Sequence, residues 1–200
     1  MISNHEPTGR GGVPLYRLKV TLKGSKPPIW RRVVVRADMT LDCLHDVIQL
    51  SMGWTNDHMH QFITGSGNAC TFYGNTDPEF GNTDGEMFDE QRHTVADLAP
   101  AAKRKFNYEY DFGDGWMHEV VLEKILPPDA TCKHPVCLAG ANACPPEDCG
   151  GIHGYYNLVT IMADPKHPGH ERMKEWIGGA LDETAFSLER VNAALERLKA

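Results

Sequence analysis

Phe106-Asn107-Tyr108-Glu109-Tyr110-Asp111-Phe112-Gly113-Asp114-Gly115-Trp116-Met117-His118-Glu119-Val120-Val121-Leu122 decides the fold. Phe106, Tyr108, Tyr110 and Phe112 alternate with polar residues, which places four rings on one face of a strand. Gly113-Asp114-Gly115 turns the chain, and alternation resumes through Trp116–Leu126. An Asp-Gly turn between two long alternating runs is a hairpin signature. Working outward, Tyr16, Leu18, Val20 and Leu22 alternate within Leu15–Leu22, and Gly24-Ser25-Lys26-Pro27-Pro28 leads to a β-branched run, Ile29–Arg36. A second hairpin is expected there.

Between the hairpins, Asp38 or Thr40 can cap a helix running through Leu50. Its Leu41, Leu44, Val47, Ile48 and Met52 share one face, and Gly53 closes it. His58–Thr64 continues as a strand. The order strand, strand, helix, strand resembles a β-grasp arrangement in the N-terminal half. Gly65–Glu90 is a long polar excursion with a short strand at Cys70–Tyr73, and Thr94–Leu98 is a short helix. Pro127–Gly154 is a Cys-, Pro- and Gly-rich loop, too interrupted for a long regular element. Short helices are expected at Tyr155–Ala163 and Pro168–Ile177, broken at Asp164-Pro165, and an amphipathic helix at Ser187–Lys199. The class is α+β: an antiparallel sheet of hairpins with helices packed on one face. Residues 14–200 are expected to form one domain, with residues 155–200 helical and Met1–Val13 a flexible arm.

With 200 residues, 41% of them hydrophobic and 24% charged, the chain can bury a core, which excludes a disordered or collagen-like protein. No apolar run approaches the roughly 20 residues of a membrane span, and Met1–Val13 lacks a signal-peptide core, so a cytoplasmic protein is expected. Net charge is −7 but uneven: residues 1–36 carry +7 and residues 37–100 carry −10. An acidic chain is a poor non-specific ligand for nucleic acid. Only the basic first hairpin, with Arg31, Arg32 and Arg36, offers phosphate a local patch.

Three groups of residues can carry chemistry. His58-Met59-His60 on a strand would project two imidazoles from one face, suited to a transition metal, with His118 a third ligand if the fold brings it near. Asp111 and Asp114 flank the hairpin turn, where they can serve a metal or acid–base group or simply bond the turn backbone. Cys132, His134, Cys137, Cys144 and Cys149 supply enough ligands for zinc, although no Cys-x-x-Cys pair is present. Pro145-Pro146-Glu147-Asp148 adds carboxylates beside Cys144. Without a secretory signal, free thiols are expected over disulfides. Zinc or another transition metal is the candidate cofactor. Phosphate-loop, nucleophile-elbow and His-Glu-x-x-His patterns are missing.

Several stretches together resemble one family. These are Tyr16–Leu22 with Pro28-Ile29-Trp30-Arg31-Arg32, Met52-Gly53-Trp54, His58-Met59-His60-Gln61-Phe62, Tyr110–Glu119, Cys137-Leu138-Ala139-Gly140, and Pro145-Pro146-Glu147-Asp148-Cys149-Gly150-Gly151. The chain resembles, from Tyr16 to Leu198, the family named for the third open reading frame of plasmid pRiA. Cys149 stands where members often carry an apolar residue. The resemblance implies a fold more firmly than an activity, although some members bear a TnpR-like resolvase label. A serine recombinase would need a nucleophilic Ser after a strand and a basic helix-turn-helix tail. Here Ser3 lies in the arm, and the last helix has no preceding recognition pair.

Three functions follow as expectations. The first is a non-catalytic module binding a protein or peptide through Trp30, Trp54 and Trp116 beside Arg31, Arg32, Asp111 and Asp114. The second is a metal-dependent enzyme using His58, His60 and His118 with Asp111 or Asp114. The third is a DNA-associated protein of mobile elements. No membrane partner is expected.

Overall fold

The two expected hairpins lie side by side in one sheet, because the second strand of the aromatic hairpin pairs through its outer edge with the first strand of the other. The structure is a computed structural model and describes residues 12–76 and 87–198. Its strands are β1 (Leu15–Leu22), β2 (Trp30–Arg36), β3 (His60–Thr64), β4 (Thr71–Gly74), β5 (Met87–Asp89), β6 (Lys105–Tyr110), β7 (Trp116–Leu126) and β8 (Val136–Ala141). Its helices are α1 (Leu41–Met52), α2 (Val95–Leu98), α3 (Gly151–Ala163), α4 (His170–Ile177) and α5 (Leu188–Leu195). The strand order is β5-β4-β3-β6-β7-β1-β2-β8. Neighbours are antiparallel except β4 and β5. The architecture is α+β.

Cross-strand registry builds the core in rows. Phe62, Tyr108, His118 and Leu22 lie opposite one another across β3, β6, β7 and β1. Phe106, Val120, Val20 and Arg31 form the next row, ending on Gly140 of β8. The apolar side chains of these rows are buried together with Leu41, Leu44, Val47 and Ile48 of α1, and Arg31 and His118 are buried among them. Alternation at period two and helical spacing thus meet in one apolar layer, the main source of folding free energy. Gly53, in the left-handed conformation, ends α1, and Thr40 stands at its N-cap without a side-chain cap bond.

Some boundaries differ from the sequence expectation. β6 stops at Tyr110, and Phe112 leaves the ring stripe to stand 50% exposed. Asp111 takes a positive φ of 55° there and reverses the chain, its carboxylate accepting from the Gly113 and Asp114 amides. β3 starts at His60, leaving His58 in the preceding loop. The 127–154 segment is not one loop. The stretch between Pro135 and Pro145 has no internal proline, and Val136–Ala141, Gly140 included, pairs with the open edge of β2; α3 begins already at Gly151. α4 starts at His170, two residues after Pro168.

The four N-terminal elements do not make a sheet by themselves, since β7 and β6 separate β1 from β3. Most of the arm expected at residues 1–13, part of the polar excursion and Lys199 lie outside the described residues. Among those described, no helix is long and apolar enough to cross a membrane.

Candidate functional site

Three loops converge at one end of the aromatic hairpin, drawn together by a few side chains. Trp54, just after α1, packs its ring 5.1 Å from Tyr110 and edge-on to His118 at 5.3 Å, and its Nε1–H donates to the Pro145 carbonyl at 3.0 Å. One residue on, the Thr55 amide donates to Glu147 at 2.9 Å. The Tyr110 hydroxyl donates to the other Glu147 oxygen and accepts from the Asp57 amide at 3.0 Å. Burial and the Glu147 charge both push the Tyr110 phenol far above its ordinary range, so it stays a donor. From the hairpin side, Asp114 accepts from the Gly150 amide at 3.1 Å. Gly151 is required at this junction: a Cβ there would lie 2.2 Å from the Asp114 carbonyl.

The result places His58 Nε2 at 3.2 Å from Asp148 Oδ1 and 3.7 Å from Asp111 Oδ2. The donor atoms of these three residues all lie within 4.8 Å of one another, and no other group of three metal-capable side chains does so among the described residues. Asn56, Asp111 and Asp148, one from each loop, hold positive φ values of 65°, 55° and 59°. Asn and Asp tolerate that region better than other non-glycine residues. Asp111 is largely buried, whereas the Asp148 side chain is 70% exposed.

Beside this group, His58 also lines a cleft of about 360 Å³ with His45, His60, Asp42, Asp46, Asp57 and Glu90. His60 Nε2 lies 2.7 Å from Glu90, and the His60 ring stacks on His45 with centroids 3.4 Å apart. A directed chain runs beneath. Gln49 donates to the Tyr108 hydroxyl at 2.9 Å, Tyr108 faces His45 Nδ1 at 2.7 Å, and His45 Nε2 faces Asn56 Oδ1 at 2.6 Å. Since Asn56 offers an oxygen, His45 carries its proton on Nε2 and accepts from Tyr108 on Nδ1. Burial, aided by His60, pushes His45 down to about 3, so it is neutral near pH 7. Burial and the Asp42 charge raise Asp46.

The expected site residues therefore separate. His58 and Asp111 come together, but with Asp148 as third member. His60 turns to Glu90 instead. His118, fully buried on β7, is pushed down to about 4 by desolvation and packs against Trp54 and Tyr108. Asp114 fixes the hairpin to α3.

The four clustered cysteines do not converge. Cys132 and Cys137 hydrogen-bond weakly to nearby carbonyls through their thiols, at 3.5 Å in each case. Cys144 is raised far above its ordinary value by burial, and Cys149 is pushed up to about 12 by the same cause. With β8 extending the chain through Cys137, no three of these cysteines and His134 bring ligand atoms within 4.8 Å of one another among the described residues. His134 contacts the Pro135 carbonyl instead.

The aromatic surface is also rearranged. Trp54 and Trp116 are core residues, while Trp30 is half-buried beneath Lys19 and Arg32, each cation 5.0 Å from its ring. Arg32 is bidentate to Glu123 and Arg36 to Asp38, and Arg31 is buried, so the basic patch is largely spent internally. Sequence reasoning missed His45, Gln49 and Glu90 as site members and set Asp148 beside Cys144 rather than beside His58. The detectable signal was polar His45 and Gln49 beside Leu44 and Ile48 on the buried face of α1.

A family model described as plasmid pRiA4b ORF-3-like protein matches residues 14–190. The uncharacterized protein y4hQ of Sinorhizobium fredii (strain NBRC 101917 / NGR234) is 37% identical over 187 residues, covering 93% of each chain. The crystal structure of MM3350, a protein of unknown function from Methanosarcina mazei Go1, aligns with a TM-score of 0.80 and 32% identity over 91% of this chain and 98% of that one.

Proposed function

The chain belongs to the plasmid pRiA4b ORF-3-like family, and from that premise we propose that it is a metal-dependent hydrolytic enzyme centred on His58, Asp111 and Asp148. The observation that carries this reading is the approach of three donor atoms, each from a different chain segment, to within 4.8 Å of one another. One imidazole and two carboxylates form a mixed nitrogen–oxygen set suited to Mn²⁺, Fe²⁺ or Zn²⁺, leaving positions for water. A cation held there would supply a hydroxide-like nucleophile near neutral pH.

The chain's own residues position that chemistry. Asp111 is pre-oriented because its Oδ1 already accepts two turn amides, leaving Oδ2 toward His58. His60, facing Glu90 in the cleft that His58 also lines, is the proton-transfer pair. The Asp42, Asp46, Asp57 and Glu90 walls favour a neutral or cationic substrate over a phosphorylated one.

A second reading, protein or peptide binding, is favoured by two exposed rings at the margin of the same site. Phe112 follows Asp111 and is 50% exposed, and Trp176, 46% exposed, shares a hollow of about 190 Å³ with Asp148. Calorimetric titration of the purified chain with Mn²⁺ and Zn²⁺ tests the first reading. One-to-one saturable binding, weakened about 100-fold in Asp111→Asn with the circular dichroism spectrum unchanged, is expected. Wild-type protein that takes up neither ion would sink the enzyme reading and leave the binding one.

A further inference from the structure

We propose that a second cleft, around Arg31, binds a small organic carboxylate with an apolar body. This cleft, about 640 Å³, lies among the C-terminal end of α1, the Ala143–Cys144 segment and the first turn of α5. Its volume falls within the range of small-molecule sites. Arg31 is 3% exposed on the core face of β2, where alternation would otherwise place an apolar residue. Its Nε donates to the Ser51 carbonyl at 2.8 Å and its Nη1 to the Trp30 and Ala141 carbonyls at 2.9 and 3.0 Å.

These are neutral partners. Among the described residues no carboxylate pairs with Arg31, and Nη2 makes no hydrogen bond. A guanidinium retains its charge at any accessible pH, so the desolvated cation stands without a counterion. Ser51 lies in the same wall, 2% exposed, and its hydroxyl also has no partner.

Arg31 Nη2 and the buried Ser51 hydroxyl, both on residues that line the cleft, are two unspent donors for the two oxygens of a carboxylate. Arg190 adds a second cation to the lining, which contains no Asp or Glu. The rest of the wall is Leu50, Met52, Trp54, Phe186, Val191 and Ala194, suited to an aliphatic or aromatic body. Phe186 stacks on the Arg31 guanidinium with 4.6 Å between them. Gly140 makes that stack possible: a Cβ there would lie 2.7 Å from the Phe186 ring and 2.9 Å from Arg31 Cδ. The site is independent of the His58 centre and stands whether or not that centre takes a metal.

The test uses the full chain with benzoate, phenylacetate and hexanoate as probes. The matching neutral amides and inorganic phosphate serve as controls, read by calorimetry and thermal shift. Saturable binding of at least one carboxylate at millimolar or tighter Kd, at least tenfold stronger than its amide, is expected. Ser51→Ala removes an unpartnered hydroxyl, so it should keep the ligand-free melting temperature and weaken the carboxylate about fivefold. Arg190→Gln, away from the sheet, should weaken it about threefold. No saturable carboxylate binding, equal binding of the amides, phosphate competing as strongly as benzoate, or unaltered affinity in both variants would each overturn the assignment.

Discussion

Two clefts built on the two halves of one helix handle buried charge in opposite ways. The cleft at the N-terminal half of α1 is lined by Asp42, Asp46, Asp57 and Glu90 with three histidines and no Lys or Arg. The one at its C-terminal half is lined by Arg31 and Arg190 with no Asp or Glu. In the first, burial is accommodated by proton loss or pairing: His45 is uncharged near neutrality, and Glu90 faces His60. In the second, the cation cannot discharge, and the Ser51 carbonyl at the helix C-terminus stabilises it in part. The helix dipole opposes neither arrangement, since Asp42 sits in its first turn. The first cleft therefore responds to protons and cations, and the second to anions.

Acid should expose the largest difference between them. His45 and His118 fall to about 3 and about 4 in the folded state, against 6.5 when unfolded. Between those values the unfolded chain binds more protons, so stability is full above pH 6.5 and is lost as pH falls toward 4, by about 3 kcal/mol for each imidazole. The Arg31 guanidinium keeps its charge throughout this window. Urea unfolding at pH 7 and pH 4 measures the loss, and in His118→Leu the drop should shrink by about half. An unchanged drop in that variant would show that the buried imidazoles are not the acid-sensitive groups.

Replacing the cation comes next. Arg31→Met strips three carbonyls of their donor and should destabilise the fold by about 3 kcal/mol, because buried acceptors lose their partners. Benzoate binding should vanish, while Mn²⁺ affinity at His58 stays within about threefold. Loss of both ligands together would mean that the clefts share one collapse rather than two chemistries.

The hairpins and α1 were legible because their signals are local: period-two alternation in β1, β6 and β7, and helical spacing in Leu41–Met52. β8 was hidden because pairing with β2 outweighs a neighbourhood of prolines, a tertiary effect with no local signature. The site was half visible. His58 and Asp111 drew attention as residue types, but their partner Asp148 is 90 residues from His58 in sequence and arrives through tertiary ties: Glu147 to Tyr110 and Thr55, Trp54 to Pro145, and Asp114 to Gly150. Arg31 read as a solvent-facing hairpin charge, since a buried arginine paired only with carbonyls violates the usual pattern.

A smaller effect should separate the clefts from the other side. Asp111→Asn keeps the carbonyl oxygen that accepts the Gly113 and Asp114 amides and removes only the negative charge toward His58. Calorimetry should show Mn²⁺ affinity falling by about 100-fold, the scale of losing an anionic ligand. Benzoate affinity should not change. A fall in both would tie the anion site to the cation site through the hairpin tip.

The smallest effect should join them. Segment 53–58 gives Gly53 and Trp54 to the arginine cleft and Asn56, Asp57 and His58 to the acidic one, while segment 143–148 gives Cys144 to the first and Asp148 to the cation group. Glu147 holds the two segments together by accepting from Tyr110 on one oxygen and from Thr55 on the other. Glu147→Gln keeps one acceptor but sets an amide N–H against the Thr55 N–H, which weakens the anchor by about 1 kcal/mol. Because both segments share this Glu147 anchor, Mn²⁺ and benzoate affinities should each drop about three- to fivefold, and by similar factors. If one drops and the other holds, the clefts are positioned separately and Glu147 serves a single site.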